Sequence, residues 1–155
     1  MPKDVTNDAA AIADVLNRAE YATLALLDDA GLYSVPVNFG FRDGVLYLHT
    51  GKKGRKFQAL RKAAEAGTPV AFSAAVDLEM KTGEKACQWG YKFRSVFGSG
   101  TVSIIDEPKA LLAGLGVIME KYAGSDSFPY DEKILGITSV VAIRVDEATA
   151  RLKQS

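Results

Sequence analysis

Residues 33–60 read YSVPVNFGFRDGVLYLHTGKKGRKFQAL. The spacing predicts a strand, a tight turn, a second strand, a basic loop and the start of a helix. Tyr33, Val35, Val37, Phe39 and Phe41 alternate with Ser34, Pro36, Asn38 and Gly40. Side chains along a strand point to opposite faces in turn, so the first set belongs in a core. The second set is small or polar, and leaves room for a flat ligand. Pro36 lacks a backbone donor, which suits an edge or a bulge and not a central ladder position. Arg42-Asp43-Gly44 is a hairpin signal, since Asp-Gly accepts the positive φ of a tight turn.

The second strand, Val45 to Thr50, carries His49, the single histidine of the chain. Gly51, Lys52, Lys53, Gly54, Arg55 and Lys56 follow, and an amphipathic run opens with Phe57 and Leu60. Cations at a helix N-terminus oppose the macrodipole, which favours anions there. A phosphate among them removes the conflict, because free N–H groups, dipole and cations then act on one anion. A solvated basic face is the competing reading, and both stay open on sequence grounds. The spacing is not that of a P-loop.

Working outward, the chain of 155 residues is long enough for one domain over 1–155 with its own core. Lys+Arg and Asp+Glu each number 19, so no global field draws nucleic acid or an anionic membrane. One cysteine, Cys87, rules out an internal disulfide and fits a reducing, cytoplasmic setting. With one histidine and one cysteine, an all-protein zinc site is not expected. No apolar run approaches membrane-spanning length.

A helix within residues 1–20, capped from Thr6, Asn7 or Asp8, is expected to pack on the strands through Ile12, Val15, Leu16 and Ala19. Residues 21–27, YATLALL, read as a buried strand, and 69–76, PVAFSAAV, as another. Residues 77–90 read as a loop or an irregular strand pair. Residues 91–105, YKFRSVFGSGTVSII, read as a long strand whose two internal glycines suggest a bulge, a barrel corner or a close approach. Pro108 opens a further helix that Gly124 ends. Ile137 to Val145 is a last strand, followed by a polar tail. The expectation is a mainly β, antiparallel sheet closed into a barrel and flanked by helices.

Three blocks carry a family resemblance: SVPVNFGFRDGVLYLHTGKKGRKFQAL at 34–60, YKFRSVFGSGTVSIID at 91–106 and FPYDEKIL at 128–135. The chain resembles the FMN-binding split-barrel proteins related to pyridoxamine 5′-phosphate oxidase, and among them the nitroimidazole-resistance subgroup. The resemblance implies a six-stranded antiparallel split β-barrel and a homodimer with FMN at the subunit interface. It implies that Val37 and Asn38 lie along the flavin ring, with His49 and Thr50 beside it. Lys56 matches the position that holds the FMN phosphate, with Lys52, Lys53 and Arg55 as helpers. Arg94 and Ser95 match a strand that completes the site, from either subunit. One departure is the turn at 66–69, Ala-Gly-Thr-Pro, where much of the family has an Asn-Pro turn.

Two functions follow as expectations. One is an FMN-dependent oxidoreductase that passes electrons to a small organic acceptor such as a nitro-aromatic, with His49 as candidate proton donor. The alternative is a flavin or haem carrier without turnover, in which His49 is the one available axial ligand. Oxidation of pyridoxamine phosphate itself fits less well, since the tail ARLKQS offers few basic contacts for a substrate phosphate. His49 half-buried at a strand end and Lys56 as a surface lysine are the bland alternatives. Arg94 paired with a carboxylate is another. Trp89 has no assigned role.

Overall fold

A computed structural model describes residues 2–154. In chain order its elements are β1 (Val5–Thr6), α1 (Ala9–Arg18), β2 (Ala22–Asp28), β3 (Gly31–Val37), β4 (Gly40–Arg42) and β5 (Val45–Gly51). Then come α2 (Arg55–Ala66), β6 (Val70–Lys81), β7 (Gly90–Ile105), α3 (Pro108–Ala123), α4 (Glu132–Gly136) and β8 (Thr138–Lys153). A short 3-10 turn spans Ala86–Gln88. Every ladder is antiparallel, and the order across the sheet is β3-β2-β6-β7-β8-β5-β4, with β1 paired to β8.

The alternation at 33–42 makes two strands, because the chain bends at Asn38-Phe39. β3 pairs with β2 and β4 pairs with β5, at opposite ends of the sheet. Laid flat, seven strands would hold those ends roughly 29 Å apart at ~4.8 Å per step. The three peptide steps from Val37 to Gly40 span at most ~11 Å. The sheet must therefore curl until its ends almost meet. The mainly β, antiparallel sheet with flanking helices is as expected; it has eight strands, and among the described residues no ladder joins β3 to β4. Its two ends are joined by chain and not by hydrogen bonds.

The inner face holds Leu24, Leu26, Leu46, Leu48, Phe72, Val96, Val141 and Ile143, all buried. On β2 the inward set is Ala22, Leu24 and Leu26, so Tyr21, Thr23, Ala25 and Leu27 face out. The stretch 21–27 is thus buried on one face only. α1 begins at Asp8, whose carboxylate accepts from the Ala11 N–H at 2.9 Å. It buries Val15 and Leu16, as the spacing predicted.

β7 crosses the sheet and passes close to β8. A Cβ on Gly100 would come 2.3 Å from the Arg144 carbonyl oxygen, and the β7–β8 register shifts between Ser99 and Gly100. Only glycine fits there. Of the two readings open at 77–90 the irregular strand pair holds at its start, the tail differs from its expected form, and residues 132–136 gain an element. Residues 77–81 continue β6 through an irregularity between Val76 and Glu79. The polar tail is the end of β8, with Arg151, Leu152 and Lys153 opposite Ser95, Arg94 and Phe93. Residues 132–136 form α4.

Candidate functional site

β3, β5 and the start of α2 meet where the sheet curls closed, and Tyr21 stands beside them just ahead of β2. Together Tyr21, Pro36, Val37, Asn38, His49 and Lys56 line a cavity of about 290 Å³. Each is placed by its neighbours. Leu48 and Thr50 are buried on β5, so strand alternation turns His49 outward. Val37 is buried on β3, so Pro36 and Asn38 face the cavity side. β3 is an edge strand that bonds only to β2, the kind of position where a proline's missing N–H is tolerated. Phe57 and Leu60 are buried on α2, and Lys56 falls on the side that reaches the cavity.

α2 has an unusual start. Its N-cap is Gly54, at φ 97°, with no side-chain capping bond and no acidic residue in the first turn. The first turn of any α-helix leaves N–H groups without intrahelical partners. Here no side chain of the cap answers them, and the nearby side chains are cationic. An anion is the group this end of α2 fits.

His49 stands on the exposed outer face, yet enough protein surrounds its ring to disfavour the charged form. Burial and, after it, the Lys56 charge push its pKa below the usual 6.5. The imidazole is therefore neutral at pH 7, able to donate from one nitrogen and accept at the other.

The other expected residues divide. Lys52 reaches sideways, its Nζ donating to the Gly136 carbonyl at 3.2 Å. Among the described residues, Lys53 and Lys56 make no ion pair. Arg55 turns away from the cavity. Its Nε donates to Asp28 Oδ2 at 2.7 Å, and its guanidinium lies 4.3 Å from the Tyr33 ring centroid. Thr50 keeps its side chain inside the sheet, so it offers the cavity at most its backbone. Arg94 Nε lies 3.6 Å from Asp77 Oδ2, in a cluster where Arg18 bridges Asp14 and Asp77. Ser95 lines a second, larger cavity of about 630 Å³ with Thr23, Ser73, Ala75, Arg18 and Asp77. Tyr21 lines both cavities, so they adjoin. The floor of the second is a shelf of small side chains on the outer sheet face.

Tyr21 is a site residue that sequence reasoning assigned to the core. The signal was present: Ala22, Leu24 and Leu26 form a complete apolar face without it. Trp89 donates from Nε1 to the Gly83 carbonyl at 2.8 Å, which fixes the β6–β7 hairpin tip away from the first cavity. Among the described residues no group of three or more metal-ligating side chains comes together.

A family model described as pyridoxamine 5′-phosphate oxidase matches residues 8–152, and the chain belongs to that family. No curated protein matches the chain. Among solved structures, a candidate 5-nitroimidazole antibiotic resistance protein from Bacteroides thetaiotaomicron is 24% identical, with a TM-score of 0.80 over 94% of this chain and 84% of that one. A FAD and heme binding protein from Mycobacterium smegmatis is 21% identical, with a TM-score of 0.84 over 99% and 75% of the two chains. A FAD-binding protein from Mesorhizobium loti is 17% identical, with a TM-score of 0.66 over 95% of each. At such identities the likeness concerns the fold.

Proposed function

We propose that this chain is an FMN-dependent oxidoreductase, and that its curled sheet is the split barrel of its family. The observation that carries the reading is Lys56. It stands at the uncapped N-terminus of α2, without a carboxylate partner among the described residues, on a cavity it shares with Asn38 and neutral His49. A phosphate dianion matches that arrangement in charge and in hydrogen bonding. Two structural neighbours are FAD-binding proteins, which supports a flavin in general terms.

Lys56 and the first N–H groups of α2 would hold the phosphate, with Lys53 free to add charge. Pro36 and Asn38 give a low surface against which a planar ring can lie. The isoalloxazine would supply the redox chemistry, taking electrons from an external reductant and giving them to an organic acceptor. His49 would relay a proton from solvent to the reduced acceptor, taking one up at one ring nitrogen as it gives one from the other, since a neutral imidazole both donates and accepts. The acceptor class is a small nitro-aromatic, a choice supported by the nitroimidazole-resistance name of one neighbour.

A homodimer belongs to the same proposal. Tyr21 and Phe97 are 57% and 62% exposed on the outer sheet face beside the cavities. A second copy laid there would cover them and screen a bound ring from water. The family's name does not bring oxidation of pyridoxamine phosphate with it, since Arg151 in the tail is bound to Asp4 at 2.8 Å.

The test is direct. Purify the protein, record its visible spectrum, and titrate apoprotein with FMN and FAD. Uptake of FMN with a flavin spectrum supports the cofactor. A colourless protein that binds neither rejects it. FMN binding without reduction of any nitro-aromatic leaves the carrier alternative. A haem carrier is favoured by neutral His49, the protonation state an axial ligand requires. A Soret band lost in His49→Ala would select it.

A further inference from the structure

α3 lies unusually close to the sheet. A Cβ on Gly40 would come 2.8 Å from Val117 backbone atoms, and one on Gly114 would come 2.8 Å from Val140 Cγ1. This approach brings the last turn of α3 to the bend between β3 and β4. There the Tyr122 hydroxyl donates to the Glu20 carbonyl at 2.7 Å and accepts from the Phe39 N–H at 3.2 Å. Lys121 seats the same turn, its Nζ 3.3 Å from the Phe39 ring centroid and 2.9 Å from the Leu16 carbonyl.

The two backbone groups on Tyr122 are not arbitrary. In the β2–β3 ladder Ala22 is opposite Val37, and Thr23 is opposite Pro36. Continued outward, that register would set Tyr21 opposite Asn38 and Glu20 opposite Phe39. The ladder stops short of both pairs. At the second, the Glu20 C=O and the Phe39 N–H are joined through the Tyr122 hydroxyl instead of to each other. One oxygen has been inserted into what would be a rung of the sheet. The strand ends are held apart there, and the residues between, Tyr21 and Asn38, line the 290 Å³ cavity.

We propose that Tyr122 is a positioning residue for the candidate site, a spacer whose hydroxyl keeps the ends of β2 and β3 open so that the cavity can take a flavin. The spacing claim stands on geometry, and the claim about flavin rests on the function proposed above. Without the hydroxyl, Glu20 and Phe39 are free to complete their rung directly. Tyr21 and Asn38 would then close on the space between them. A buried N–H left unpaired is costly, which drives that closure.

The test is Tyr122→Phe, which keeps the ring and removes only the inserted oxygen. We expect FMN affinity to fall about tenfold or more, while the melting temperature stays near the wild-type value. A crystal structure of the variant should show the Glu20 oxygen and the Phe39 nitrogen within ordinary hydrogen-bond distance and a narrower cavity. A merely structural tyrosine would lower the melting temperature and leave the affinity of the folded protein alone, which would overturn the proposal. So would a variant structure with the gap unchanged. Should wild type bind no FMN, the flavin reading fails by itself, and the variant structure still decides whether Tyr122 is the spacer.

Discussion

Two corners of the molecule carry clustered cations, and they differ in what answers the charge. Around Asp77, Arg18 is gripped by two carboxylates and Arg94 leans on one of them. The Arg18 guanidinium holds both Asp14 and Asp77 below the usual carboxylate range. At the start of α2, Lys56 has no such partner among the described residues, and its charge is felt by His49. The boundary between the two kinds falls between consecutive residues. Arg55 binds Asp28 across the top of the sheet, while Lys56 turns to the cavity. A cation already answered by a carboxylate is part of the architecture. One that is not is available to a ligand, and a cluster of positive residues in a sequence mixes the two.

The largest expected effect separates them. Lys56→Ala should weaken FMN binding roughly 10- to 100-fold, the range for losing a charge-assisted hydrogen bond. Arg94→Ala should change it less than about threefold, since its charge is already engaged. Equal losses in fluorescence titrations would break the comparison.

The second prediction uses His49. By NMR its pKa should lie below 6.5 in the free protein and rise when inorganic phosphate is added, because the anion offsets Lys56. In Lys56→Ala the free value should already be higher, and phosphate should hardly move it. The sign for stability follows. The native state binds this proton less readily than the unfolded chain, so His49 lets stability stand above pH 6.5 and erodes it as pH falls.

Lys121 sharpens the comparison as a third kind of cation, answered by aromatic rings and a carbonyl. Burial lowers its pKa to about 8 from an ordinary 10.5. The unfolded chain holds that proton between the two values and the native state does not, so stability should rise across that window. Urea unfolding of wild type and Lys121→Met at pH 7.5 and pH 10 checks it, with wild type gaining on the variant at the higher pH. A constant difference would refute the shift. The smallest effect belongs to Arg55→Ala, at a pair whose arginine is half exposed, with a slight drop in urea midpoint and FMN affinity within about twofold of wild type.

Much of this was legible in sequence. Asp43 and Gly44 both take positive φ in the β4–β5 turn, α2 spans the helix expected after the basic loop, and Gly124 ends α3. Val37, Asn38, His49 and Lys56 do share one cavity. What escaped depends on residues distant in the chain. That Arg55 and Arg94 are engaged by carboxylates could be read only by knowing that Asp28 and Asp77 fold against them. Tyr122 follows Ile118 and Met119 in an apolar stripe, and nothing local says that its hydroxyl reaches the sheet. The end of β8 hid because Arg151 and Lys153 make it look like tail, although Ala148, Ala150 and Leu152 alternate with them as a strand requires.

That last strand sets the order of assembly. β8 is the hydrogen-bonded neighbour of β7, β5 and β1, and Asp4 bonds to Leu152 across nearly the whole length of the chain. On a ribosome every one of those partners emerges before it. Until residues 138–153 are made, β5 and β7 keep open edges, and the growing polypeptide is exposed to mispairing and aggregation until that strand emerges.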